Sequence, residues 1–168
     1  MGGYVALELS KLNPSGIKGL VLQNSTSYPD NEEKIANRNR GIAAVKENAR
    51  LFIQVAVPML FSEKNRTVFS KEVKEVTSKA LGTSTQGIIA ALEGMKVRED
   101  NSNILKESHF PILMIIGKED PALDYNSLIQ QTENTDVVVE IFEDGHMSHI
   151  ENYSDLQATY TSFFKDCN

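Results

Sequence analysis

Three short apolar runs, set among long helical stretches, constrain the fold of this chain more than any other feature. The first, Gly19-Leu20-Val21-Leu22, lies inside the segment Ile17 to Gln23 and does not alternate polar with apolar residues. A strand of that kind is covered on both faces, as strands of parallel sheets are. The second is Ile112-Leu113-Met114-Ile115-Ile116, opened by Pro111 and closed by Gly117; the third is Val137-Val138-Val139-Glu140-Ile141-Phe142. Strands are therefore expected near residues 18 to 23, 111 to 116 and 137 to 142.

Helical periodicity fills the rest. Met1 to Leu12 suits a helix with Val5, Leu9 and Leu12 on one face, ended by Asn13-Pro14. Asn24 to Asp30 has a loop composition. Residues 31 to 108 are charged, helical and free of convincing strands. One stripe there is Ile42, Val45, Ala49, Phe52, Ile53 and Ala56, halted at Pro58. A second is Val73, Val76, Ala80 and Leu81, and a third is Ile88, Ala91, Leu92 and Met95. A short helix carries Leu128 and Ile129. The last helix is expected to open with a capping box, Ser154-x-x-Gln157, and to bury Leu156, Tyr160, Phe163 and Phe164. Strands alternating with helices mean an α/β layer structure with parallel strands. The segment 31 to 108 reads as a helical excursion from one sheet.

Composition narrows the function. The chain has 168 residues, 40% of them hydrophobic, enough for one domain that buries roughly two-thirds of its unfolded surface. Its formal charge is −6 with scattered Lys and Arg, which argues against a nucleic-acid partner. No stretch approaches the roughly 18 apolar residues of a membrane span, and no basic-then-apolar leader is present. The single cysteine, Cys167, fits a reduced, cytoplasmic setting. Three histidines and one cysteine show no zinc-like spacing, and no cofactor or metal is expected.

The second and third strands each run into a loop with a residue suited to catalysis, Asp120 in Gly117-Lys118-Glu119-Asp120-Pro121 and His146 in Glu143-Asp144-Gly145-His146-Met147. In parallel sheets reactive groups gather at the carboxyl ends of strands. An aspartate beside an imidazole fixes its tautomer and stabilises the imidazolium. Asp124 is a second acid, better placed to start the following helix. His109 and His149 read as structural or surface residues, His149 at the pocket rim. Ser25 and Ser27 follow the first strand near the pocket mouth, without glycines to hold either hydroxyl out under strain. Arg98 and Asp100 read as a charged pair, and the Glu32 to Arg40 cluster as a solvated helix start.

The two loops, Gly117-Lys118-Glu119-Asp120 and Asp144-Gly145-His146-Met147-Ser148, resemble the acid and histidine loops of the α/β-hydrolase family. Met1-Gly2-Gly3-Tyr4-Val5-Ala6 is similar to the segment directly after the nucleophile in that family's Gly-x-Ser-x-Gly elbow. The resemblance covers the whole chain and is greatest to small esterase, enol-lactonase and haloperoxidase-like members. It implies a partial α/β-hydrolase fold of about three parallel strands with flanking helices, residues 1 to 30 and 109 to 168 forming the core and 31 to 108 a helical cap insertion. It further implies Asp120 and His146 as catalytic residues, a vestigial oxyanion donor in the Met1 backbone amide, and a small ester or lactone as substrate. The serine, the other oxyanion loop and the first five strands would precede Met1, so the chain is expected to be truncated and inactive by itself. The alternative is a non-catalytic remnant serving as a self-association or interaction module. The strand at 17 to 23, interior in the family, would then be an open edge, and a homodimer through it is expected.

Overall fold

The computed structural model describes residues 1–167. In chain order its elements are α1 (Gly2–Leu12), β1 (Leu20–Gln23), α2 (Glu32–Ala56), α3 (Asn65–Val68), α4 (Ser70–Ala80), α5 (Thr85–Lys96), α6 (Ser102–Glu107), β2 (Ile112–Gly117), α7 (Tyr125–Thr132), β3 (Val138–Phe142), α8 (Ser148–Glu151) and α9 (Tyr153–Asp166). The strands form one sheet in the order β1-β2-β3, both pairings parallel. Leu20 lies opposite Ile112, and Ile115 opposite Glu140.

Strand β2 organises the core, because every one of its residues is buried. Its side chains alternate between the two faces. Ile112, Met114 and Ile116 pack with Leu7 of α1, Leu105 of α6 and Leu128 of α7. Leu113 and Ile115 pack with Phe142 and with Leu156 and Phe163 of α9. Each such side chain contributes roughly 1.5–3 kcal/mol when fully buried. The outer strands differ from the expectation of two covered faces. In β1 buried and half-buried residues alternate, and β3 leaves Val138 and Ile141 exposed. Both are edge strands, covered well on one side only.

Two helices also depart from the sequence pattern. On α1 the stripe Val5, Leu9 and Leu12 faces outward, with 63%, 54% and 83% of each residue exposed, while Leu7 and Ser10 are buried. The helix packs on the sheet with one side, and on the other Val5 borders an open cavity that it shares with Ala90, Ala91 and Met95 of α5, so its more apolar face is left largely exposed. On α9, Ser154 lies inside the helix and does not cap it; Asn152 precedes the first turn without a side-chain cap. The short α8 directly before sets that start, and Phe164 ends half exposed.

In the helical block α2 packs on α5 through Ile42, Val45 and Leu92, with Phe52, Ile88 and Met95 around them. The apolar stripe of α2 runs through a break at Asn48 (φ −155°, ψ 89°). The Asn48 side chain accepts from the Leu51 amide at 2.9 Å, recapping the second half of the helix. None of the α4 stripe is fully buried. The block is tied to the sheet by Asp30, whose wholly buried carboxylate meets Arg98 at 2.8 Å and Arg38 at 3.1 Å. Arg98 therefore pairs with Asp30 and not with the neighbouring Asp100, whose side chain accepts from the Ser102 amide. Arg98 also stacks over the Tyr4 ring, 4.2 Å from its centroid.

Candidate active site

The carboxyl ends of β2 and β3 are zipped together by their exit loops. Lys118 donates its amide to Phe142 O (2.8 Å) and Glu119 donates to Asp144 O (3.1 Å). A Cβ on Gly117 would stand 2.6 Å from both Asp144 O and Gly145 O, so only glycine allows this approach. The result places Asp120 and His146 at one end of the sheet, with His146 Nδ1 2.8 Å from Asp120 Oδ2.

Asp120 is held from every side. Its Oδ1 accepts from the amides of Ala122 (2.8 Å) and Leu123 (3.2 Å), and its Oδ2 also accepts from Asn24 Nδ2 at 3.3 Å. Hydrogen bonds from several donors fix the carboxylate plane. Because Oδ2 accepts, the imidazole proton belongs on Nδ1 and the free lone pair on Nε2. Asn24 follows β1 directly and adopts φ 44°, a left-handed conformation that asparagine tolerates better than most residues. From there its amide also donates to Gly145 O (3.2 Å), and its Oδ1 accepts from Ser148 Oγ (2.6 Å). One side chain thus links the ends of all three strands.

The histidine loop is fastened to the helical block by a second carboxylate. Glu151 is buried and accepts from the Ser62 amide (2.9 Å), Asn65 Nδ2 (3.0 Å) and the Met147 amide (3.2 Å). His146 donates its own amide to Leu60 O at 3.0 Å. Gly145 sits so close that an added Cβ would collide with the Ser62 amide. Neither Asn24 nor Glu151 stands out in the sequence; both sit at positions defined by contacts far along the chain.

A cavity of about 280 Å³ opens beside the histidine, lined by Met1, Tyr4, Asn24, Lys34, Asn37, Arg38, Leu60, Met95, Ala122, Leu123 and His146. No serine, threonine or cysteine is in that lining. Ser25 is buried against Gly3, Ser27 donates to Gln131 (2.8 Å), and Ser148 is committed to Asn24. Asp124 caps α7 through the Ser127 amide (2.7 Å). His109 stands at the opposite, amino end of β2. His149 is outside the cavity lining; desolvation first, and the nearby His146 second, hold its ring below the usual histidine range. The Met1 α-amino group is likewise lowered, first by burial and then by Arg38 and Arg98. Among the described residues, no three His, Cys, Asp or Glu side chains group as a metal site requires, and no helix is long and apolar enough to cross a membrane.

Solved structures share this arrangement of elements. An esterase from Thermogutta terrifontis superposes with a TM-score of 0.85 at 21% identity, over 99% of this chain and 62% of that one. The fold is that of the α/β-hydrolases. An esterase from Exiguobacterium antarcticum matches at 0.83 with 18% identity, covering 97% of this chain and 63% of that one. The enol-lactonase of Burkholderia xenovorans LB400 matches at 0.80 with 19% identity, covering 98% and 63%. The chain spans less than two thirds of the length of each of these structures. No protein-family model matches the sequence, and no curated protein matches it.

Proposed function

We propose that this α/β-hydrolase-fold chain supplies the acid and the general base of a Ser-His-Asp hydrolase acting on a small ester or lactone. The observation that carries the reading is the 2.8 Å contact between His146 Nδ1 and Asp120 Oδ2 beside the cavity. In this role Nε2 of His146 takes the proton of an attacking hydroxyl and later returns it to the leaving group, while Asp120 stabilises the imidazolium. The nucleophile comes from polypeptide outside residues 1–168, since no hydroxyl or thiol of a serine, threonine or cysteine lines the cavity. Met1, directly before α1 and in the cavity wall, is the residue whose backbone nitrogen would serve as an oxyanion donor in this reading.

The assay is p-nitrophenyl acetate hydrolysis by this chain and by its His146→Ala variant. The reading expects a rate no higher than free imidazole gives. A fast turnover lost in the variant would disprove the missing nucleophile and direct attention to Ser25, Ser27 and Ser148. The DNA upstream of Met1 is the complementary test, where an in-frame Gly-x-Ser run supports a catalytic whole.

A second reading, a non-catalytic self-association module, is favoured by a separate observation. The outward stripe of α1 is apolar and exposed, and β1 has a free edge. In this reading a second copy covers both, giving a homodimer.

A further inference from the structure

We infer that the cavity beside His146 binds the carboxylate of an acidic substrate, seated by Lys34 and Arg38. The inference rests on the hydrolase reading above and adds the substrate class to it. The cavity wall contains Lys34, Arg38 and His146 and no aspartate or glutamate. That is opposite in sign to the chain as a whole, whose formal charge is −6. Lys34 is half buried, and no carboxylate pairs with it among the described residues. Arg38 hydrogen-bonds Asp30 through Nε, and among the described residues its terminal amino groups make no hydrogen bond, which leaves them for a second, forked contact. Asp30 is itself matched by two arginines and wholly buried, so the cluster carries a surplus positive charge toward the cavity.

Uncharged groups flank the two cations. Asn37 lines the same wall, and its amide group can donate beside them. Leu60, Met95, Ala122 and Leu123 supply apolar lining for the rest of the ligand. Polar and apolar groups thus share the wall, the polar ones gathered around Lys34 and Arg38. With about 280 Å³ available, the occupant is a small acid, its carboxylate on α2 and its reacting acyl group toward His146.

The test is binding, so that it stands apart from turnover. Phenylacetate and its neutral counterpart phenylacetamide are titrated into the isotope-labelled chain and followed by amide and imidazole NMR shifts, with inorganic phosphate as a third arm. Phenylacetate should saturate with shifts at residues 34 to 38 and at the His146 ring, and phenylacetamide should bind about tenfold more weakly or worse. Lys34→Gln, a change away from any ion pair, should weaken phenylacetate by about tenfold and leave phenylacetamide unaltered. Equal binding of acid and amide, shifts confined to other surfaces, or an unaffected Lys34→Gln variant would overturn the proposal. Phosphate binding tighter than phenylacetate would overturn the carboxylate assignment. Loss of the hydrolase reading shows instead in the DNA upstream of Met1, as the lack of an in-frame Gly-x-Ser run, and leaves these titrations unchanged.

Discussion

Asn24 donates its side-chain amide to the oxygen of Asp120 that faces His146, so the residue directly after the first strand helps to set the carboxylate that meets the imidazole. The same amide group holds Gly145 O, and its oxygen takes the Ser148 hydroxyl. Removing it would leave Ser148 Oγ buried without a partner and take one donor from Asp120, which the Ala122 and Leu123 amides still hold.

Asn24→Ala is expected to destabilise the chain by about 2 kcal/mol, from buried hydrogen bonds lost and a hydroxyl stranded. Asn24→Gly loses the same bonds and escapes the strain of φ 44°, so it should be the more stable of the two by about 1 kcal/mol. Urea unfolding curves with equal slopes would give both values. Equal stability of the two variants would mean that the left-handed backbone relaxes once the side chain is gone.

How much of this is readable from the sequence depends on the range of the signal. The three strands, their parallel order and the loops holding Asp120 and His146 are written locally, as apolar runs followed by glycine and a reactive residue. Asn24 and Glu151 are not. Each looks like an ordinary polar residue until distant loops converge on it. Proximity in sequence pairs Arg98 with Asp100, whereas the fold brings in Asp30 from the far side of the helical block. Periodicity finds the apolar stripe of α1 and has no means of telling a core face from an uncovered one. The break at Asn48 leaves no mark in the pattern because the apolar spacing continues through it.

Glu151 should be the most sensitive joint between the histidine loop and the helical block. Glu151→Ala strands the amides of Ser62 and Met147 together with Asn65 Nδ2, at a cost of about 3 kcal/mol. Glu151→Gln can keep acceptor contacts through one oxygen only and turns a donor toward donors, so a smaller loss is expected. Hydrogen exchange locates the effect: amides of Ser62, His146 and Met147 should open together in either variant. Independent opening of the two segments would show that Glu151 does not couple them.

His149 offers a probe of charge at the site. Its ring is held low by desolvation and then by the neighbouring His146. A positive neighbour disfavours a second positive charge, so removing it favours protonation. In His146→Ala the His149 ring should therefore titrate at higher pH than in the parent, as followed by imidazole proton shifts. An unchanged titration would place His146 too far away to act, and a downward move would reveal that the substitution buries His149 further.

On the far side of the sheet from β3, strand β1 presents an open edge. Leu20 N donates to Pro111 O, just before β2, and Asn24 N donates to Ile115 O within it. By the alternation of parallel strands, the amides of Val21 and Gln23 point the other way, along the free edge. Lys18 is the one charged residue in the segment 17 to 23, where natural edge strands usually carry more protection. Close by, Val5, Leu9 and Leu12 of α1 are exposed. In the self-association reading, two copies meet edge to edge about a two-fold axis with β1 antiparallel to its copy, and the α1 stripes are covered as the joint sheet forms. Val21→Pro discriminates sharply, because proline suits an edge strand where its missing N–H is not used within the chain. Light scattering after gel filtration should show a dimer for the parent and a monomer for Val21→Pro, with the monomer retaining the parent's circular dichroism. Val5→Glu combined with Leu9→Glu should also weaken the dimer without unfolding the chain. A monomeric parent at every concentration, with slow amide exchange through residues 18 to 23, would sink the idea and leave the edge protected by other means.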